Sequence, residues 1–167
     1  MHFGKTNSGA VVAMVQKVGF QSFRHVLRMS GREVSLEEAQ AAPVRVQFIR
    51  EPMARLRSAY CFYKTIYARR SMPQPGSPQP ADVETWEAFM EYVRANPDNV
   101  HWRPQTVVVE AFIPNRLHKF EDIGTTWGQY DSRPFPHLND SEDYPTGDVP
   151  DDISMRYEPE RAIWRGL

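Results

Sequence analysis

This sequence has a single cysteine, and its positive and negative charges nearly cancel. The chain of 167 residues has one cysteine, Cys61, which excludes an internal disulfide and a zinc site made of four cysteines. The formal net charge is -1, so the chain lacks the global basic field that nucleic-acid-binding domains carry. We therefore expect no nucleic-acid partner, and any anion site must be local.

Long apolar runs are missing as well. No stretch of about 18 consecutive apolar residues occurs, so a membrane span is not expected. The first residues, MHFGKTNSGAVV, contain no apolar segment before a cleavage site, and a single cysteine suits a reducing compartment. These features predict a cytoplasmic location. The length predicts a single domain over residues 1–167.

Strand and helix patterns alternate along the chain. Residues 44–49 predict the best strand, and a helix with apolar residues three and four apart follows over 52–70. A capping box that begins at Ser35 predicts a short helix before Pro43. The run of three valines within residues 106–113 predicts a buried strand.

The N-terminal residues follow the same alternation. A strand ending at Phe3 is followed by a turn-like stretch at 4–9, and residues 10–18 predict a short apolar helix. This order favours an α/β fold, a P-loop NTPase-like three-layer core with a mostly parallel sheet flanked by helices. Ligands of such sheets bind at the carboxyl ends of the strands, so we expect residues 4–9 and 50–52 on the same edge.

The first candidate site is the sequence GKTNSG at residues 4–9. Its glycines let backbone N–H groups turn toward an anion, the predicted helix points its positive end there, and Lys5 adds a full charge. A Walker A motif needs an earlier glycine, for which the three residues before Gly4 leave no room. The stretch is therefore either an anion site of another kind or a plain glycine-containing turn.

The second candidate site is the sequence FIREPMARLRSAY at residues 48–60. Arg50 stands where the predicted strand ends, and Arg55 and Ser58 are three residues apart on the helix that follows, so they share a face. A guanidinium group with a hydroxyl is a good receptor for a terminal phosphate. Arg57 is expected on the solvated side of the same helix.

FIREPMARLRSAY resembles the 3′-phosphate-binding signature of the sulfotransferases, especially of the carbohydrate sulfotransferase branch. In that signature a strand ends in Arg, an acidic residue or Asn and then Pro follow, and a helix with Arg-x-x-Ser-x-Tyr begins. The resemblance implies that Arg50 and Ser58 bind the 3′-phosphate of 3′-phosphoadenosine 5′-phosphosulfate (PAPS), the sulfuryl donor of the family.

HFGKTNSGAV resembles the 5′-phosphosulfate loop of the same family, with Lys5 and Thr6 at matching positions. Gly4 replaces the usual proline, and Gly9 and Ala10 stand where hydroxyl residues are common. The resemblance implies that the following residues hold the phosphosulfate end of PAPS: Gly4, Lys5, Thr6, Asn7, Ser8, Gly9 and Ala10.

Three shorter segments resemble the family in the same order along the chain. They are HWRPQ at residues 101–105, KFEDI at 119–123, and His137-Leu138-Asn139 followed by Ser141. Each segment is weak evidence alone. Together with the two phosphate-binding segments they cover nearly the whole chain.

The resemblance implies an enzyme that transfers a sulfuryl group from PAPS to an acceptor hydroxyl, that of a carbohydrate by analogy with the branch. Lys5 would neutralise charge on the leaving phosphate, and His25 would be the general base, with Glu33 and His101 as rivals. No metal is required by this chemistry.

Two other functions stay open. The altered phosphosulfate loop is also compatible with a catalytically inactive module that binds PAPS or its product, adenosine 3′,5′-bisphosphate (PAP). A kinase acting on a nucleotide or small molecule is a third interpretation, which the incomplete Walker pattern disfavours.

Overall fold

A computed structural model of the chain describes residues 2–28, 33–69, 77–136 and 144–167. Its strands are β1 (His2–Lys5), β2 (Val11–Met14), β3 (Glu33–Val34), β4 (Arg45–Ile49) and β5 (Arg116–Lys119). Its α-helices are α1 (Phe20–Arg28), α2 (Leu36–Ala41), α3 (Pro52–Ala68), α4 (Trp86–Ala95), α5 (Thr106–Phe112), α6 (Ile123–Thr126), α7 (Asp151–Met155) and α8 (Glu158–Gly166). None of these helices is both long and apolar enough to cross a membrane.

The described strands form one mixed sheet in the order β3-β1-β2-β4-β5. β2 pairs in parallel with β4, and β4 with β5, whereas β1 is antiparallel to both β2 and β3. The predicted α/β class is confirmed, but the prediction of a mostly parallel sheet is wrong. The physical reason is the turn between β1 and β2, which reverses the chain directly and so needs no crossover helix.

Residues 10–18 do not form the predicted helix. Val11–Met14 is a strand whose residues are all buried, and it lies between β1 and β4. A short, uninterrupted apolar run does not distinguish a buried strand from a buried helix, and here pairing on both sides decides for the strand. Gly19 lies directly before a helix, because α1 begins at Phe20.

The predicted strand at residues 106–113 is also wrong, because Thr106–Phe112 is helix α5. Val108 and Phe112 are four residues apart and buried, while Val107 is 41% exposed. This is the pattern of one apolar helix face, not of a strand. The helix ends at Phe112 and is capped by Ile113, which adopts a left-handed conformation with φ of 51°.

Most of the remaining predicted elements are confirmed. The capping box at Ser35 begins α2, β4 covers the best predicted strand, and Pro52 lies in the first turn of α3. The end of the chain forms the two helices α7 and α8, with Pro159 in the first turn of the second helix. These elements carry strong local signals: caps, proline and clear apolar periodicity.

Helices cover both faces of the sheet. Phe3 and Gly4 are neighbours in β1 and so point to opposite faces. The ring of Phe3 packs on Phe112 of α5 at 5.1 Å, and a Cβ atom on Gly4 would lie 2.6 Å from Leu27 of α1. Gly4 is therefore needed so that α1 can approach the strand. A second apolar core, rich in aromatic residues, joins α3, α4 and α7.

Candidate functional site

Residues 4–10 form the tight turn between β1 and β2. Thr6 donates its backbone N–H to the carbonyl of Ala10 at 2.8 Å, and Gly9 donates to the carbonyl of Thr6 at 3.1 Å. Asn7 donates its N–H to Asp131 at 3.2 Å, and Ser8 donates to a backbone carbonyl at 3.4 Å. The predicted anion-binding N–H groups of residues 7–9 therefore already have acceptors within the protein.

This turn also lies at the wrong end of the sheet for the predicted role. Lys5 is opposite Val11, and Val11 is opposite Arg45 at the start of β4. Arg50 follows the other end of β4, about 17 Å farther along the strand at roughly 3.3 Å per residue. The prediction that residues 4–9 and the Arg50 corner share an edge is wrong, and no helix starts behind the turn.

The segment at residues 15–19 lies where residues 4–9 were predicted to lie, between a strand end near Arg50 and the start of a helix. It follows β2 at the end where β4 also ends, and it leads directly into α1. Lys17 and Gly19 adopt left-handed conformations, with φ of 61° and 64°. A strand, a turn with left-handed residues and a helix N-terminus in this order form the usual frame of an anion site in α/β proteins.

Lys17 and Arg50 meet at this edge of the sheet. Arg50 donates from Nη1 to the backbone carbonyl of Lys17 at 3.2 Å. Burial, and next the positive charge of Arg50, hold the pKa of Lys17 well below its ordinary value. Burial also lowers the pKa of Arg50, against the opposing effect of Glu121. Two partly desolvated cations side by side create a strong local preference for an anion.

The Lys17 ammonium lies against aromatic rings of α3. Its Nζ is 3.1 Å from the ring centre of Phe62 and 5.9 Å from that of Tyr63. No hydrogen bond or ion pair of this ammonium group is found within the described ranges, so the cation–π arrangement leaves its N–H donors available to an anion.

Arg50 is held in place through its backbone. Its N–H donates to Oε1 of Gln105 at 3.2 Å, and Nε2 of Gln105 donates to its carbonyl at 3.0 Å. Gln105 is fully buried and is itself bonded to Glu160 of α8. The HWRPQ segment thus fixes the end of β4 to the last helix.

Arg55 does not join Lys17 and Arg50 at this edge of the sheet. It is 1% exposed, and its Nη2 donates to the carbonyls of Trp102 and Arg103 at 3.0 and 2.7 Å. Glu160 lies 3.7 Å from the same nitrogen. Arg55 is therefore a structural residue, whereas Ser58 is half-buried on the same helix and Arg57 is exposed as expected.

The three residues predicted as general bases lie in different surroundings. His25 is exposed on α1, and Glu33 is exposed on the edge strand β3. His101 packs between the rings of Phe62 and Tyr63, at 6.2 and 5.4 Å. Burial, followed by the positive charges of Lys17 and Arg55, lowers its pKa to about 3. Of these candidates, the structure brings His101 next to Lys17.

His101 also has an unsatisfied polar atom. Its Nδ1 is buried and has no hydrogen-bond partner among the described residues. A buried polar atom without a partner is costly and marks a position where a ligand or solvent is expected to bind. The segment His137-Leu138-Asn139 with Ser141, which resembles a family motif, lies outside the described residues.

Lys17 and Gly19 are not recognised as a turn when residues 10–18 are interpreted as one helix. The signal was present: a continuous apolar run ends at Val15, Gly19 follows, and Phe20 and Phe23 begin a pattern with spacings of three and four. Compared with known proteins, the chain matches no family model, no curated protein and no solved structure.

Proposed function

We propose that this protein is a PAPS-dependent sulfotransferase whose donor site lies at the carboxyl ends of β2 and β4. The observation that carries the proposal is the pair Lys17 and Arg50, joined by the 3.2 Å hydrogen bond at adjacent strand ends. The proposal keeps Arg50 and Ser58 from the sequence resemblance. It moves the phosphosulfate loop from residues 4–10 to residues 15–19, and it replaces Lys5 by Lys17.

Each end of the donor has a receptor in this arrangement. The backbone N–H groups at the start of α1, with Lys17, would hold the 5′-phosphosulfate, because the positive end of a helix favours anions. Arg50 and Ser58 would hold the 3′-phosphate. Helices on both faces of the sheet, with this loop at a strand end, are also what a P-loop-like three-layer core requires.

The transfer is an in-line displacement at sulfur. The acceptor oxygen forms a bond to sulfur, the bond between sulfur and the 5′-phosphate oxygen breaks, and its electron pair stays on the leaving phosphate. Lys17 would stabilise the charge that develops on that oxygen. The acceptor proton would pass to Nδ1 of His101, the buried nitrogen without a partner.

His101 therefore replaces His25 as our first candidate for the base. His25 is exposed on α1, whereas His101 contacts the same aromatic rings as Lys17. The positive charge of Lys17 contributes to the low pKa of His101. A negative donor next to Lys17 offsets that charge, so donor binding would make His101 a stronger base.

The two lysines allow a matched test. Lys17→Met should weaken PAP binding by about tenfold or more and lower sulfuryl transfer by roughly 100-fold, because one preorganised charge at the leaving oxygen is lost. Lys5→Met should leave both unchanged. Calorimetry with PAP and transfer of labelled sulfate from PAPS would measure the two effects.

Three results would decide against this arrangement. No PAP binding to the wild-type protein would eliminate the donor site. Loss of binding in Lys5→Met but not in Lys17→Met would return the site to residues 4–10. Tight PAP binding without turnover on any acceptor would favour the inactive binding module.

A further inference from the structure

The backbone of Arg50 is bonded on both sides by one side-chain amide, that of Gln105. The Arg50 N–H donates to Oε1 at 3.2 Å, and Nε2 donates to the Arg50 carbonyl at 3.0 Å. A residue on an antiparallel neighbouring strand forms the same pair of bonds with its partner. Gln105 therefore extends the pairing of β4 beyond its last residue, Ile49, and fixes the direction in which the Arg50 side chain leaves the backbone.

The far end of the Arg50 side chain is fixed as well. Nη1 donates to the carbonyl of Lys17 at 3.2 Å, and no other hydrogen bond joins the guanidinium group to the described residues. A guanidinium group has five N–H donors in one rigid plane. Arg50 is therefore oriented at both ends, while most of its donors stay available to an anion.

Glu160 decides which way the Gln105 amide faces. Its buried carboxylate accepts from the Gln105 backbone N–H at 2.7 Å and also from Nε2. An ionised carboxylate only accepts hydrogen bonds, so the amide must turn its NH₂ group toward Glu160. Nε2 then uses its second hydrogen on the Arg50 carbonyl, and Oε1 faces the Arg50 N–H. The reverse orientation would place an acceptor against both the carboxylate and the Arg50 carbonyl.

The chain just before Gln105 is held by bonds that do not involve this amide. Arg55 donates to the carbonyls of Trp102 and Arg103, and the Tyr157 hydroxyl donates to the Trp102 carbonyl at 2.6 Å. The Tyr157 bond thus lies in the same buried region but outside the connection from Glu160 to Arg50. It supplies a control for general damage to that region.

We propose that Gln105 and Glu160 are positioning residues that make this edge of the sheet selective for a 3′-phosphate. The inference rests on the proposed function, in which Arg50 binds that phosphate of PAPS. A long side chain that is ordered before binding loses less conformational entropy when the ligand arrives. More of the free energy of its charge-assisted hydrogen bonds then appears as affinity. Gln105 and Glu160 act on the ligand only through Arg50.

The ratio of two dissociation constants measures this selectivity. PAP and adenosine 5′-monophosphate differ only in the 3′-phosphate, so general damage to the site weakens both and leaves the ratio of their Kd values unchanged. Gln105→Met keeps the length of the side chain but removes the amide. It should reduce the preference for PAP by roughly five- to tenfold, because Arg50 then has to be ordered during binding. Calorimetry measures both constants.

Glu160→Gln is a second variant, and it retains the size of the side chain. An amide offers one acceptor oxygen instead of two, so it no longer dictates the orientation of Gln105. The preference for PAP should fall in this variant too. Tyr157→Phe is the matched control: it removes the bond to the Trp102 carbonyl, so it should lower Tm but keep the wild-type ratio.

A double-mutant cycle shows whether Gln105 acts through Arg50. Arg50→Met should itself remove most of the preference for PAP, and adding Gln105→Met should change the ratio no further. Hydrogen exchange of the Arg50 backbone amide, measured by NMR without ligand, reports the Gln105 bond directly. It should be faster in Gln105→Met and unchanged in Tyr157→Phe.

Several results would overturn the positioning role while PAP still binds, and the proposed donor site would then stand. They are an unchanged ratio or unchanged exchange in Gln105→Met, an equal fall of the ratio in Tyr157→Phe, and an additive effect in the Arg50→Met background. If the wild-type protein binds no PAP, or binds both nucleotides equally, the role of Arg50 in the donor site fails and this inference fails with it.

Discussion

At the scale of single residues, the edge formed by Lys17, Arg50 and His101 concentrates groups whose charges are disfavoured by burial. Lys17 and Arg50 both have lowered pKa values, and the pKa of His101 falls to about 3. Burial has already removed water from these positive groups. A bound polyanion would therefore stabilise their charged forms strongly, because its negative charges offset the free-energy cost of desolvation.

The low pKa of His101 predicts a pH-dependent stability. Between its ordinary pKa of 6.5 and its folded value of about 3, the unfolded chain takes up a proton that the folded protein does not. The contribution of His101 to the unfolding free energy is fully present above pH 6.5. It is lost as the pH falls toward 3, by at most about 1.4 kcal/mol per pH unit.

Urea unfolding at about pH 7.5 and about pH 5 would measure this effect. We expect the fall in unfolding free energy between the two conditions to be smaller in His101→Phe, which keeps an aromatic ring between Phe62 and Tyr63. His25→Gln should behave like the wild type, since it leaves the surroundings of His101 unchanged. Equal pH dependence in wild type and His101→Phe would contradict the assignment.

At the scale of elements, the incorrect predictions for residues 10–18 and 106–113 have one cause. Both segments are rich in valine, and local propensity for such runs is weak compared with tertiary contacts. Val11–Met14 has a paired strand on each side, so it extends. Thr106–Phe112 follows Gln105, whose N–H is bonded to Glu160, and its Val108 and Phe112 reach the core from one helix face.

A substitution at the exposed residue Val107 distinguishes the observed helix α5 from the strand predicted for residues 106–113. In helix α5, Val107→Ala should raise the unfolding free energy by roughly 0.5 kcal/mol, because alanine has the higher helix propensity. In a strand the same change would lower it. Chemical denaturation measures the sign. The buried neighbour serves as the control, since Val108→Ala should cost on the order of 2 kcal/mol through lost packing.

At the scale of the whole molecule, a net charge of -1 means that the anion binding we propose would depend on the local edge and not on a global field. Arg50 belongs to this edge and is bonded through Gln105 to Glu160, so strand β4 and helix α8 are linked through one buried residue. Ligand binding at the edge should therefore stabilise the fold as a unit.

Thermal unfolding with PAP would test this coupling. At a concentration about 100 times its Kd, PAP should add about 2.7 kcal/mol of stability, and so raise Tm by roughly 5–10 °C for a chain of this size. Adenosine 5′-monophosphate, which lacks the 3′-phosphate, should give a smaller shift. A larger shift with magnesium and ATP than with PAP would instead favour the kinase interpretation.

The sequence by itself determined the elements that carry their own local signals, and with them the α/β class. The capping box at Ser35, the strand before Arg50 and the proline-started helix after it were all predictable, because caps, prolines and apolar periodicity act over a few residues. The position of Arg50 between the end of β4 and the start of α3 was predictable for the same reason, whereas its anion-binding role stays a prediction.

The tertiary structure alone decided which lysine joins Arg50. Lys5 and Lys17 are each followed by a glycine within four residues, and the local sequence marks a turn near each of them without showing which lysine reaches Arg50. The choice depends on strand direction: β1 runs antiparallel to β2 and ends at the far edge, whereas β2 runs parallel to β4 and ends beside it. Pairing direction is set by contacts between distant residues, and these form only in the folded chain.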